Sequence, residues 1–184
     1  MILPIYIYGH PILRSECENI DPSYEGLEEL IENMFETMHN AHGIGLSAPQ
    51  IGLSINLFII DLSPYAEDEP SFLDMKEVFI NPEILEESGE LLSHNEGCLS
   101  IPGVREDVDR KSIIKLKYLD QNFVEHVIDI SGIFARVVQH EYDHLHKTLF
   151  IDYLSAIKKN IVNRKLNSIV KGKFKEEYPT ILKK

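Results

Sequence analysis

Apolar residues recur in three stretches of the chain at the spacing of amphipathic helices. In the first stretch, which follows Asp21-Pro22-Ser23 and runs to about Asn40, the apolar positions return every three or four residues: Leu27, Leu30, Ile31, Met34, Phe35 and Met38. This period places them on one buried face, and Asp21 with Pro22 supplies a helix start signal. The same period predicts a helix after Ser131 and another from about Tyr153 to Val170, beyond which we expect the chain to fray.

Extended segments lie between the first two helices. The apolar run Ile55–Asp61 predicts a buried strand, and a second run, Val78–Leu85, is interrupted by Asn81-Pro82. Ser112–Leu119 and Phe123–Ile130 are rich in β-branched residues and are separated by a short polar turn, so they predict a hairpin that leads into the second helix. Two segments rich in glycine and proline, 43–52 and 96–103, are interpreted as turns.

Length and composition indicate one globular domain. The 184 residues are 43% hydrophobic and 26% charged, and the pattern offers no internal repeat or linker, so we expect a single domain, 1–184, with a basic helix and tail from about residue 152. No apolar run approaches the 18 or so residues that cross a membrane, and the segment Met1–Tyr6 lacks the features of a signal peptide. We therefore expect a cytoplasmic protein whose cysteines, Cys17 and Cys98, are thiols.

Charge is distributed unevenly along the chain. The formal net charge of −12 argues against general affinity for nucleic acids, yet Lys158–Lys184 contains nine Lys or Arg against two Glu. This segment carries +7 and the remainder −19. Such a tail can steer the protein toward an anionic partner, or it can be no more than a solvated helix face.

The predicted second helix carries the pattern H-E-x-x-H. His140 and His144 are four residues apart, so one helical face presents both imidazoles, with Glu141 beside them. In metal-assisted hydrolysis the ion acidifies a bound water and polarises a carbonyl while the carboxylate moves the proton. Two imidazoles hold a metal poorly, so a third ligand must come from elsewhere. Alone, the pattern is equally compatible with an ordinary amphipathic helix.

Three short segments together resemble the motifs of the peptide deformylases. They are G-I-G-L-S-A-P-Q at 43–50, E-G-C-L-S at 96–100 and Q-H-E-Y-D-H at 139–144, in the family's order. The resemblance implies an α+β fold in which antiparallel β-sheets pack around a central helix carrying H-E-x-x-H, with further helices near the two ends. It also implies that Cys98, His140 and His144 bind one metal and that Glu141 is the general base.

The resemblance assigns the remaining site residues as well. The side-chain amide of Gln50 and the backbone N–H of Leu99 are implied as donors to the oxyanion, and Gly45 in holding the substrate backbone. Ile44, Ile133 and Val137 are candidates for an apolar pocket around the methionine side chain, although plain core packing explains each equally well.

Four further residues of these motifs or near them are expected to shape the site or to mark departures from the family. We expect Glu96 and Arg105 to form a local ion pair. Ser47 replaces an alanine of the first motif and should not reach the metal. Lys147 stands where the third motif commonly continues with glycine, so a left-handed turn there costs about 1 kcal/mol more.

The implied activity is removal of the formyl group from the initiator methionine of nascent polypeptides, with release of formate. Alternatives are a general metallopeptidase, or a non-catalytic ribosome or RNA-binding module built on the basic tail. The resemblance favours Fe2+, although Zn2+, Ni2+ and Co2+ also accept thiolate and imidazole ligands. Expected partners are N-formylmethionyl peptides and, through the tail, the ribosome, with no membrane and no specific DNA.

Overall fold

The computed structural model describes residues 1–183. Three α-helices and seven strands, with five short 3-10 helices between them, make up its regular structure. In chain order they are β1 (Ile5–Tyr6), α1 (Leu27–Asn40), β2 (Gly45–Ser47), β3 (Leu57–Asp61), β4 (Lys76–Cys98), β5 (Ile101–Leu119), β6 (Glu125–Ser131), α2 (Gly132–Leu145), α3 (Ala156–Val170) and β7 (Thr180–Ile181). The α+β class expected from the sequence is confirmed.

Five strands form one antiparallel sheet in the order β2-β3-β4-β5-β6. Its largest part is the long hairpin of β4 and β5, whose register pairs Glu96 with Glu106 and closes at Cys98 opposite Ile101. Strand β2 lies at one edge of the sheet. Two short strands from opposite ends of the chain, β1 and β7, form a separate parallel pair. The sheet thus carries both glycine-containing motifs, one in β2 and one at the end of β4.

Helix α2 is the central helix. Its side chains Ala135 and Val138 are fully buried, and they belong to the same apolar cluster as Phe58 and Phe79 of the sheet. A second cluster contains Met34 and Met38 of α1 together with residues from β1, β3 and α3. The buried apolar side chains of α2 all belong to the first of these clusters, so α2 packs its apolar face against the five-stranded sheet.

The start of the first helix differs from the prediction. Helix α1 begins at Leu27 after Gly26, which has a φ of 73°. Asp21 instead accepts a hydrogen bond of 2.8 Å from the backbone N–H of Ser23, and Tyr24 N–H donates to the carbonyl of Asp21. The aspartate therefore closes a turn rather than capping a helix, a local alternative that Asp side chains commonly offer.

The expectation that the chain frays beyond Lys171-Gly172 is wrong. The N–H groups of Ile5 and Ile7 donate to the carbonyls of Pro179 and Ile181, at 2.8 and 2.9 Å. Tyr178 is only 9% exposed and joins the core. A polar segment with no period of its own is fixed here by pairing with the other end of the chain.

The left-handed turn anticipated after α2 is present. The helix ends at Leu145, and Lys147 has a φ of 60°. Its ammonium lies 2.5 Å from the carboxylate of Glu16. Among residues 1–183, no helix combines the length and the hydropathy needed to span a bilayer.

Candidate metal centre and active site

Three potential metal ligands meet at the junction of β4 and α2. One donor atom each from Cys98, His140 and His144 lies within 4.8 Å of the other two. Cys98 is the last residue of β4, and the two histidines project from one face of α2 because they are four residues apart. Residues separated by more than 40 positions in the sequence thus form a single cluster of one sulfur and two ring nitrogens.

Glu96 orients His140. Its Oε2 lies 3.0 Å from Nδ1 of His140, which leaves Nε2 of that ring to face the cluster. The carboxylate is also bound by Arg110, through contacts of 2.7 and 3.0 Å, and by Arg136 at 3.0 Å. Burial disfavours the charge on Glu96, but the hydrogen bonds from His140 and Arg110 outweigh it and hold the pKa of Glu96 well below its usual range.

The expected ion pair between Glu96 and Arg105 is not formed. Arg105 donates instead to Asn95, from Nε to Oδ1 at 2.8 Å and from Nη2 to the backbone carbonyl at 3.0 Å. The alternation of β5 explains the difference, since Val108 and Arg110 point to the buried face while Arg105 points to the exposed one. The buried arginines Arg110 and Arg136 therefore take the place that the sequence suggested for Arg105.

The surroundings of His144 fit a bound cation. Its Nε2 lies 3.3 Å from Sγ of Cys98, and the side chain is 1% exposed. Within the described chain, its buried Nδ1 has no hydrogen-bond partner. Burial, and then the charge of a protonated His140, lower the pKa of His144, which favours the neutral form that a nitrogen ligand requires. One thiolate with two imidazoles is a ligand set that Zn2+ and neighbouring divalent metals accept.

Glu141 is buried beside the cluster. Its side chain is 4% exposed, and its Oε2 lies 2.5 Å from the hydroxyl of Ser47. Burial raises the pKa of Glu141 above its ordinary value, against the opposing effects of His140 and Ser47. A raised pKa suits a carboxylate that must both accept and return a proton.

Gly45 brings β2 against this carboxylate. A Cβ at position 45 would lie 2.8 Å from Cγ and Cδ of Glu141, closer than real Cβ atoms approach. Only glycine allows the strand and the carboxylate to be this close. Gln50 lies on the next turn, where its Nε2 is 3.5 Å from Sγ of Cys98 and its Oε1 accepts the N–H of Ser47 at 2.8 Å.

A cleft of about 390 Å³ opens onto the cluster. The three residues proposed for an apolar pocket, Ile44, Ile133 and Val137, all line it. Residues that the sequence did not single out also line it: Tyr65 from the connection between β3 and β4, His94 from β4, Arg136 from α2 and Tyr178 from the tail. No local pattern marks them, because their place in the cleft depends on pairing between distant segments.

A potential thiolate, two imidazoles and a buried carboxylate beside an open cleft define a metal-dependent hydrolase centre. The family model described as polypeptide deformylase matches residues 2–160. The chain belongs to the peptide deformylase family. It is therefore an enzyme that removes the N-formyl group from nascent N-formylmethionyl peptides, and neither the general metallopeptidase nor the non-catalytic alternative is favoured.

Relatives and solved structures extend this match to nearly the whole chain. A peptide deformylase of Christiangramia forsetii is 50% identical, covering 97% of this chain and 94% of the relative. One of Salinibacter ruber is 48% identical and covers 100% and 96%. A crystal structure of the Plasmodium falciparum peptide deformylase has a TM-score of 0.83 at 38% identity and covers 91% of this chain and 95% of its own.

Proposed function

We propose that Cys98, His140 and His144 hold one divalent metal ion and that Glu141 acts beside it as the general base of deformylation. The observation that carries this assignment is the meeting of the three donor atoms within 4.8 Å of one another next to a buried carboxylate. When bound, such an ion lowers the pKa of a water molecule and polarises a carbonyl group.

The protein's own residues then carry the proton. Glu141 takes the proton of the attacking water and delivers it to the amine that leaves as the formyl C–N bond breaks. Ser47 holds the carboxylate through its hydroxyl, and Gly45 leaves room for it. The products are formate and a peptide with a free amino terminus.

Two donors are assigned to the oxygen of the formyl group. As the attacked carbon becomes tetrahedral, negative charge grows on this oxygen, and fixed donors aimed at it contribute a few kcal/mol each, roughly. We assign this role to Nε2 of Gln50 and to the backbone N–H of Leu99. The position of Gln50 supports the assignment, because its Oε1 is tied to Ser47 N–H and its Nε2 consequently faces Cys98.

The substrate binds as an extended chain beside β2. This strand lies at an edge of the sheet, so its outer side can pair with a peptide backbone at Gly45. Ile44, Ile133 and Val137 surround the methionine side chain with apolar surface. For Val137, which is only 6% exposed, packing in the apolar core explains the side chain as well as a contact with substrate does.

Formate release tests the assignment. Metal-loaded protein should release formate from a formyl-methionyl tripeptide and leave the unformylated tripeptide intact. Glu141→Ala should retain metal and lose turnover, whereas Cys98→Ala should lose metal affinity. Cys17→Ala is the matched control and should change neither. The opposite pattern for the first two variants would refute the roles of Glu141 and Cys98, and cleavage of the unformylated tripeptide would point to a peptidase.

Fe2+ is the proposed native metal, acting in the cytoplasm. Thiolate and imidazole ligands do not select among Fe2+, Zn2+, Ni2+ and Co2+, so the proposal depends on the family resemblance. Protein purified without oxygen should contain iron and lose activity in air. The Co2+-substituted protein should show a thiolate-to-metal absorption band that Cys98→Ala lacks and Cys17→Ala keeps. Oxygen-insensitive activity with zinc alone would overturn the choice of iron.

The basic tail is proposed to dock the enzyme at the ribosome. Arg164, Lys171 and Lys173 line one shallow polar groove on and after α3, which favours contact with an anionic surface. R164E with K171E should weaken ribosome binding in a salt-dependent manner. K111E with K115E reverses the same number of charges on β5 and serves as control. Equal binding by the two double variants at low salt would refute docking through the tail.

A further inference from the structure

The turn between β4 and β5 is held from outside at two consecutive peptide groups. The hydroxyl of Tyr178 donates to the carbonyl of Leu99 at 2.8 Å. The N–H of Tyr8 donates to the carbonyl of Ser100, also at 2.8 Å. Leu99 follows the ligand Cys98, and Ser100 is fully buried. Tyr8 and Tyr178, which lie near opposite ends of the chain, therefore both form hydrogen bonds with the turn between β4 and β5, and this turn lines the active-site cleft.

Tyr178 itself is rigidly placed. Tyr178 lies 79 residues beyond Leu99 in the sequence. It is 9% exposed and lines the active-site cleft. The next residue, Pro179, accepts a backbone hydrogen bond from Ile5 at 2.8 Å, and β7 follows immediately. The hydroxyl is thus fixed by the pairing of β7 with β1 and by the packing of the ring.

We propose that Tyr178 is a positioning residue for deformylation, whose hydroxyl fixes the Leu99 carbonyl and thereby the backbone conformation in which the Leu99 N–H points at the oxyanion. The proposal rests on the proposed function, in which this N–H is a donor. Anchoring the carbonyls of Leu99 and Ser100 restricts the backbone torsions of Leu99 and therefore the direction of its N–H. A donor aimed in advance stabilises developing charge without reorganising during the reaction.

The ring and the hydroxyl of Tyr178 have separable roles. The ring packs in the apolar cluster that also contains Met38 and Ile5, so it anchors the tail whatever the hydroxyl does. Tyr178→Phe keeps the ring and removes only the donor to Leu99. A purely structural role predicts that this variant folds, binds metal and turns over like the wild type.

The experiment compares full-length wild type, Tyr178→Phe and Tyr118→Phe, all loaded with the same metal. Tyr118 is a matched control, because it is 7% exposed and belongs to the apolar cluster between the sheet and α2. For Tyr178→Phe we expect kcat to fall roughly three- to tenfold, the scale of one neutral hydrogen bond. The KM and the metal content should stay unchanged, and the melting temperature should fall only slightly, because one partly buried hydrogen bond is lost. In zinc-loaded protein, the Leu99 amide resonance should shift and exchange faster with solvent.

Each other outcome decides against the proposal. An unchanged kcat or an unaltered Leu99 amide overturns it, and so does a loss of activity that merely follows a loss of metal, because the hydroxyl would then act through Cys98. A wild type that releases no formate refutes the proposed function itself, independently of the Leu99 amide measurement. The two failures are therefore distinguishable in the same set of proteins.

Discussion

The hydroxyl of Ser47 lies 2.5 Å from Oε2 of Glu141 and 3.0 Å from the carbonyl oxygen of the same residue. Both residues are buried: Ser47 is 0% exposed and Glu141 is 4% exposed. Ser47 is the residue that replaces a family alanine, and it contacts the proposed general base. The departure from the motif therefore lies at the carboxylate that is proposed to react.

Ser47→Ala should therefore lower both activity and stability while leaving metal content unchanged. The buried carboxylate loses a donor, which costs about 1 to 3 kcal/mol of unfolding free energy, and its orientation loosens, which should reduce kcat roughly three- to tenfold. Urea unfolding and formate release measure the two effects. Ser168→Ala removes a hydroxyl on α3 that is bonded to the Arg164 carbonyl, and it controls for the loss of any serine hydroxyl. Wild-type values in both assays would contradict the prediction.

Glu96→Gln should weaken the metal site by loosening His140. A neutral amide accepts a weaker hydrogen bond from the imidazole, and such outer partners typically contribute 10- to 100-fold in metal affinity, roughly. Arg110 and Arg136 would also lose the anion between them, and removing one partner of a buried pair costs about 3 to 5 kcal/mol. Chelator competition and thermal unfolding measure these losses.

Glu106→Gln provides the matched control for the Glu96 variant. Glu106 faces Glu96 across the hairpin register, but its carboxylate is partly exposed and lies 3.7 Å from Lys158 at the surface. Surface pairs of this kind contribute about 0 to 1 kcal/mol. If both variants lose metal equally, the contact between Glu96 and His140 does not orient the ligand.

Local patterns predicted the parts of the site that lie on one element. His140, Glu141 and His144 share a helix, so the helical period alone places them together. Cys98 joined them only through the family resemblance, because no period connects β4 to α2. The ring of partners around Glu96 could not be predicted, since Arg110 and Arg136 reach it from a neighbouring strand and from α2.

The same limit applies to the end of the chain. The segment after Lys171 is polar and aperiodic. Its order comes from the pairing of β7 with β1, in which Thr180 lies opposite Ile5, 175 residues earlier in the sequence. The composition of a segment indicates its own conformational preference, and it does not indicate whether a distant strand will pair with that segment. For this reason Tyr178 could not be identified before the structure.

Asp61 should make stability depend on pH in the acid range. Burial raises the pKa of this side chain, but hydrogen bonds from Ser63 and the contact with His39 at 2.7 Å outweigh it and lower the pKa below 3.8. A depressed carboxylate pKa stabilises the folded state above the unfolded value of 3.8 and loses this effect as the pH falls through the folded pKa. The free energy of unfolding should therefore fall as the pH is lowered below about 4.

Asp61→Asn tests this dependence by urea unfolding from pH 7 to pH 3. The variant should be less stable than the wild type at pH 7, and the difference should shrink below about pH 4, where the wild-type carboxylate takes up a proton. Asp109→Asn, at an exposed position on β5, controls for the change in net charge. A stability difference that stays constant across the range would exclude Asp61 as a source of acid sensitivity.

Gly45→Ala should abolish most of the activity without removing the metal. The new Cβ would lie 2.8 Å from Cγ and Cδ of Glu141, so either β2 or the carboxylate must move. Displacing a reacting group by about 1 Å costs on the order of 100-fold in rate. Gly26→Ala is the control, because its Cβ meets nothing within 4 Å while its φ of 73° imposes strain on the backbone. It should lose about 1 kcal/mol of stability and keep its kcat. Equal kcat values for the two variants would mean that Glu141 reacts from a position that does not depend on Gly45.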